Sequence, residues 1–202
     1  MKFIESFMTF EFDDDKICRI EKVQQEGNHT HVMVCECIVY HQGKLCFIEA
    51  KSSIPQPSNK GNLTEFIHDI VQKFTQSVLF YHALHGKRFG EETSHQLSDC
   101  LLRQSMTVRH QFYLVLHGAK QEWLPAIQDT LCLALMPLLH AWNIFPHDVK
   151  VINEELAKDL NLIVDAYPVA ERIRLSKEKA NPMDVQKIGE TWLLERNADV
   201  LQ

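Results

Sequence analysis

The sequence predicts an α/β domain, a mixed central β-sheet flanked by helices, with extra helices toward the C-terminus. Three observations carry this expectation. Two β-rich runs, His31–Tyr40 and Leu45–Ser53, are joined by the turn His41-Gln42-Gly43-Lys44. A run of about two dozen residues after Gly61 repeats apolar side chains at helical spacing. Two further short apolar runs, His110–His117 and Val149–Ile152, then alternate with helical patterns, an element order that makes an α/β domain with a mixed sheet.

Taken in order, residues 1–12 are apolar with mixed periodicity and fit helix or strand. Asp13-Asp14-Asp15 reads as a turn, and Ile17 to Val23 alternates as a strand does. Gln24 to Thr30 is a polar loop. The hairpin 31–53 follows, and residues 53–61, with two prolines, form a loop. The long helix is expected to start with Asn62 as N-cap and Glu65 three residues on, and to end near Gly86. Leu63, Phe66, Ile67, Ile70, Val71, Phe74, Val78 and Tyr81 form its apolar stripe. A weaker helix covers 92–104. His110 to His117 reads as a buried strand. Glu122 to Asn143 is helical, with Pro125 in the first turn and Pro137 a kink. Residues 153–160, and much of 170–196, also look helical. The expected division is a core over 1–165 and a helical extension over 166–202. The extension packs on the core or serves an interface, such as that of a homodimer.

The chain has 202 residues, a formal charge of −6 and 45% apolar residues, ordinary for a globular protein. An acidic chain does not advertise nucleic-acid binding, so any such contact needs a local basic patch. Lys60, Lys87-Arg88 and Arg103 to Arg109 are the available cations. The N-terminus lacks a secretory pattern, and the run Leu131–Leu139, interrupted by Pro137, is too short to span a bilayer. The expectation is a cytoplasmic protein without a membrane partner. Six cysteines without a C-x-x-C pair read as buried reduced thiols.

The chemistry concentrates on the hairpin. A two-residue loop at Gln42-Gly43 pairs His41 with Lys44, and continuing that register puts Ile38 opposite Phe47, Glu36 opposite Glu49 and Val34 opposite Lys51. One face then carries Met33, Cys35, Cys37 and Val39 with Cys46, Ile48 and Ala50. The other carries Glu36, Glu49 and Lys51 among Val34, Ile38 and Phe47. Opposed carboxylates repel, and apolar neighbours add a desolvation cost. The pair needs a proton, a cation or open water. Lys51 is one cation, and a divalent metal on hard carboxylate oxygens is another. The bland alternative is a solvent-facing salt-bridge cluster, worth about 0–1 kcal/mol.

The stretch from Glu36 through Glu49-Ala-Lys51-Ser52 resembles the core of the PD-(D/E)xK nuclease superfamily, nearest in style to the archaeal Holliday-junction resolvase branch. The resemblance implies a restriction-endonuclease-like αβββαβ core. It implies Glu36 and Glu49 as ligands of Mg²⁺ or Mn²⁺, Lys51 as the catalytic lysine, and DNA as the partner and substrate. By the same resemblance Gln72 and Gln76, with Tyr81, lie on the helix that carries accessory residues in some branches, and Glu5 or Glu11 would be the N-terminal acid. The chain departs from the family in having Glu at the first acid and no preceding Pro. A catalytically inactive interaction protein of the same fold is the alternative. Among eleven histidines, His82 and His85 lie three apart on the helix, and His29 with His31 and His110 with His117 flank strands. Surface or satisfied core positions are preferred for all of these over a metal site or an enzyme built on histidine.

Overall fold

The computed structural model describes residues 1–27, 32–90 and 96–168. Its centre is a five-stranded mixed sheet in the order β3 (Ile17–Cys18), β4 (Cys37–His41), β5 (Lys44–Lys51), β6 (His110–Leu116) and β7 (Val149–Asn153). The first three strands run antiparallel, and β5, β6 and β7 are mutually parallel. A smaller sheet, β1 (Lys2–Glu5), β2 (Met8–Glu11) and β8 (Asp165–Ala166), is wholly antiparallel.

Each face of the central sheet is covered. On one side lie α1 (Ile20–Glu26), α2 (Lys60–His85), α3 (Asp99–Leu102) and α4 (Leu124–Ala141), sharing a core with Ile38, Phe47, Phe112 and Leu114. On the other, Met8 and Phe10 of the small sheet and Ala157 of α5 (Glu154–Asp159) close over Cys37, Val39, Cys46, Ile48 and Val115. Double coverage explains why β6 is buried at all seven positions. The parallel pairs β5–β6 and β6–β7 need crossovers, and α2 and α4 supply them.

The hairpin register holds over five pairs, from His41↔Lys44 to Cys37↔Ile48. Gln42 and Gly43 both have positive φ (48° and 77°), the requirement of a two-residue type I′ turn. Beyond Cys37 the register changes. The Glu36 amide donates to the Ile48 carbonyl at 3.0 Å, so Glu36 and Cys37 both stand against Ile48, as in a β-bulge. The expected Glu36–Glu49 and Val34–Lys51 pairs therefore do not form. The extra residue also flips side-chain parity, so Cys35 joins the helix-side core while Cys37 stays on the other face. The strand 31–40 shortens accordingly to Cys37–His41.

Other expectations change too. Residues 1–12 form a hairpin. The strand expected over Ile17–Val23 stops at Cys18 and α1 begins at Ile20, because burying Ile20, Val23 and Gln24 follows a helical spacing. Helix α2 starts at Lys60, and its N-cap is Asn59, whose side chain accepts from the Asn62 amide at 3.3 Å. Asn59→Ala is expected to lower stability by about 0.5–1 kcal/mol, read as a shift in urea midpoint. Gly86 follows the helix end as expected. The expected helix over 92–104 reduces, within the described residues, to α3, and α4 runs unbroken through Pro137. Together with the turn before it, α4 forms a segment, Gln121–Ala141, long and apolar enough to cross a membrane by length and composition. Here Leu124, Ile127, Leu131, Leu135, Leu138 and Leu139 bury one face in the core. The division at 165 cuts β8, whose Ala166 pairs with Met8. His29, His31 and the helices expected over 170–196 lie outside the described residues.

All six cysteines are free thiols, four of them buried. Burial pushes the Cys18 and Cys46 thiols up to about 12.

Candidate functional site

Three elements place the acidic residues. Glu49 and Lys51 sit near the C-terminal end of β5, with successive side chains alternating across the strand so that both point the same way. Glu36 arrives from the bulge before β4. The segment before it is tied to α2 by two hydrogen bonds. Ser77 Oγ accepts from the Cys35 amide at 2.7 Å, and Gln76 Oε1 accepts from the Met33 amide at 2.6 Å. Glu5 comes from the first hairpin. Its two-residue turn, Ser6-Phe7, has positive φ at both positions (49° and 64°), and Ser6 Oγ donates to the Ala50 carbonyl at 2.9 Å.

Glu36 and Glu49 meet at an ammonium group that sequence reasoning missed, and Lys51 joins them through Glu49. Lys73 Nζ donates to Glu49 Oε1 at 2.7 Å and lies 3.6 Å from Glu36 Oε1. Lys51 Nζ lies 2.8 Å from the same Glu49 oxygen. Glu49 is fully buried and Glu36 is 5% exposed. Among the described residues, Glu36 Oε2 and Glu49 Oε2 have no hydrogen-bond partner. Carboxylate oxygens of Glu5, Glu21 and Glu36 also lie within 4.8 Å of one another. Arg19 is 3.9 Å from both Glu5 and Glu21, and its guanidinium lies over the Phe3 ring at 3.9 Å.

Four carboxyl groups thus share a site with three cations, Lys51, Lys73 and Arg19. The excess acid shows in the titration behaviour. Burial, then Glu49, Glu5 and Glu21, push the Glu36 carboxyl up to about 9, against the opposing pull of Lys73. Burial and Glu21 also raise Glu5 above the ordinary carboxylate range, although Arg19 opposes them. Burial alone would lower Lys73, but Glu49 and Glu36 outweigh it and hold the ammonium above its usual value.

The other sequence candidates fall elsewhere. Glu11 pairs with Lys2 at 3.3 Å on the outer surface, so the N-terminal acid beside Glu36 is Glu5. Gln72 meets His68 at 2.7 Å on the exposed side of α2, and Gln76 braces the strand segment instead of entering the site. Tyr81 is buried and donates to the Leu101 carbonyl at 3.0 Å. Lys73 was detectable in principle. It stands three residues after Ile70 and four before Ser77, on the inward stripe of α2, where a charge needs a partner.

His82 and His110 meet at the opposite end of the sheet, whereas His117 closes β6 beside Lys51, its amide donating to the Lys51 carbonyl at 2.8 Å. His82 and His110 meet Nε2 to Nε2 at 3.0 Å, His82 stacks on Trp142 at 4.4 Å, and His110 Nδ1 contacts the Val108 carbonyl at 2.9 Å. Burial, then His110 and His85, hold His82 down to about 4, so this group is neutral at physiological pH. His110 and Trp142 also line a cavity of about 360 Å³ with Arg109 and Phe145. Arg109 is spoken for by buried Asp148, at 2.9 Å.

No family model, curated protein or solved structure matches the chain. The functional reading therefore rests on the residues.

Proposed function

We propose that the protein is a metal-dependent nuclease, of PD-(D/E)xK type, that hydrolyses phosphodiester bonds in DNA. The single observation that supports this best is the convergence of Glu36, Glu49 and Lys51 at the carboxyl end of β5, with one buried oxygen of each acid left without a partner. Unpartnered buried carboxylate oxygens are costly unless something binds them. An all-oxygen donor set suits Mg²⁺ or Mn²⁺. Glu36 and Glu49 would hold the ion, with Glu5 and Glu21 adjoining.

A bound divalent ion would supply a Lewis acid and a hydroxide at neutral pH. The remaining work falls to the chain. Lys51 is 31% exposed, so its ammonium reaches solvent and can hold an anionic phosphate while staying anchored to Glu49. Glu36 must shed its proton to serve as a ligand, and a cation at the site favours that loss.

The test is cleavage of linear and branched duplex DNA with Mn²⁺. Glu49→Gln and Lys51→Ala are each expected to lower the rate by about 10²–10³-fold, the scale of losing one electrostatic contact to a reacting group. Far-UV circular dichroism should be unchanged. Undiminished cleavage in both variants would sink the proposal.

A second reading, an inactive protein that keeps the nuclease-like fold, has one observation in its favour. Lys73 already neutralises Glu49. It expects no heat of Mn²⁺ binding and no cleavage.

A further inference from the structure

Lys73 has no place in the sequence motif, yet it makes the closest contact in the site. It projects from the inward face of α2, whose position is set by the buried neighbours Ile70, Phe74 and Ser77. Its ammonium is 2.7 Å from Glu49 Oε1 and 3.6 Å from Glu36 Oε1. Lys51 touches only Glu49 of this pair, at 2.8 Å. Lys73 is thus the one cation among the described residues that bridges the two acids on which the nuclease reading rests.

A divalent ion bound by both acids would sit roughly 2.0–2.6 Å from their oxygens. An ammonium at hydrogen-bonding distance from the same oxygens lies in that space or in contact with it, and the two positive charges repel. The lysine stem is a flexible four-carbon chain, so the ammonium can leave by side-chain rotation while α2 stays in place. Side-chain exposure of 16% gives it a path toward water.

We propose that Lys73 is a built-in counter-cation that competes with a divalent metal for Glu36 and Glu49, so that metal loading requires its ammonium to withdraw. The device holds the acid pair together without metal and weakens metal affinity in exchange. It rests on the metal-site reading above, and the experiment separates the two.

The full-length protein and its Lys73→Met and Lys51→Met variants are titrated with Mn²⁺ by calorimetry, with free Mn²⁺ counted by paramagnetic resonance. Lys73→Met is expected to bind Mn²⁺ at least tenfold more tightly than the wild type. Lys51→Met, which removes an equal charge that does not bridge the acids, is expected to gain much less. Lys73→Met should also melt at lower temperature without metal and recover the loss on adding Mn²⁺. Equal affinity in Lys73→Met and wild type overturns the proposal. So does an equal gain in both variants, which reports general charge and not competition for one place. Absence of Mn²⁺ binding in all three proteins overturns the metal-site reading itself. Should Lys73→Met fail to fold, Lys73→Gln, which keeps a hydrogen-bond donor, is read in the same way.

Discussion

Glu36→Gln is expected to stabilise the protein at pH 8, by an amount on the order of a few kcal/mol, and to raise its melting temperature. The sign follows from proton counting. Burial and the neighbouring acids push the folded carboxyl up to about 9 from its ordinary 4.5. Between those limits the unfolded chain has released the proton while the folded chain keeps it. The native state then binds more protons, and stability falls as pH rises, by at most about 1.4 kcal/mol per pH unit from this one group. Below about pH 4.5 the group costs nothing, and by about pH 9 the full cost is present.

Glutamine has no proton to release, so its variant should lose this slope. Urea unfolding from pH 5 to 9 checks it, and parallel curves for variant and wild type would contradict the assignment. The same substitution removes a proposed metal ligand. Gained stability with lost Mn²⁺ binding would be the trade expected where a site is kept in an unfavourable ionisation state for function.

Much of this site was legible because one turn is legible. Gln42-Gly43 marks a two-residue loop, and the register it sets is correct as far as Cys37↔Ile48. The reading fails at the next residue. A bulge at Glu36 has no sequence mark of its own, since the amide that departs from the ladder belongs to an ordinary residue. Glu36 and Glu49 still meet, but through Lys73 and not as a cross-strand pair.

The first hairpin was hidden for a similar reason. Ser6-Phe7 occupies a left-handed turn that usually advertises itself with Asn or Gly, so neither the turn nor the position of Glu5 could be read. Glu21 was missed because Ile17, Ile20 and Val23 serve a short strand and a short helix in succession, and alternation over so few residues does not separate the two. The stripe of α2 is readable, but Lys73 lies at its edge, 16% exposed, where a long side chain fits solvent as well as the site. Gln72, next to it in sequence, points outward to His68.

Phe112→Ala is expected to produce the largest stability loss, about 3–5 kcal/mol, because it removes a fully buried ring at the joint between sheet and helix. The Phe112 ring centroid lies 5.4 Å from that of Phe47, its register partner on β5, and 5.1 Å from that of Phe74 on α2. Phe74 is adjacent to Lys73 in sequence. The ring therefore fixes the height of α2 above β5, and with it the reach of the Lys73 ammonium toward Glu49. Against a typical total of about 5–15 kcal/mol, such a loss leaves the domain near its limit. The urea midpoint should fall steeply with little change in slope, since the surface exposed on unfolding is nearly the same. Phe112→Leu, which refills most of the volume, should cost much less. A loss below about 1 kcal/mol in the alanine variant would mean that α2 is held chiefly by its other contacts, such as Ser77 to Cys35 and Tyr81 to Leu101. In that case the placement of Lys73 would depend on the strand segment before Glu36, and the bulge would be the element that sets the geometry of the acid pair.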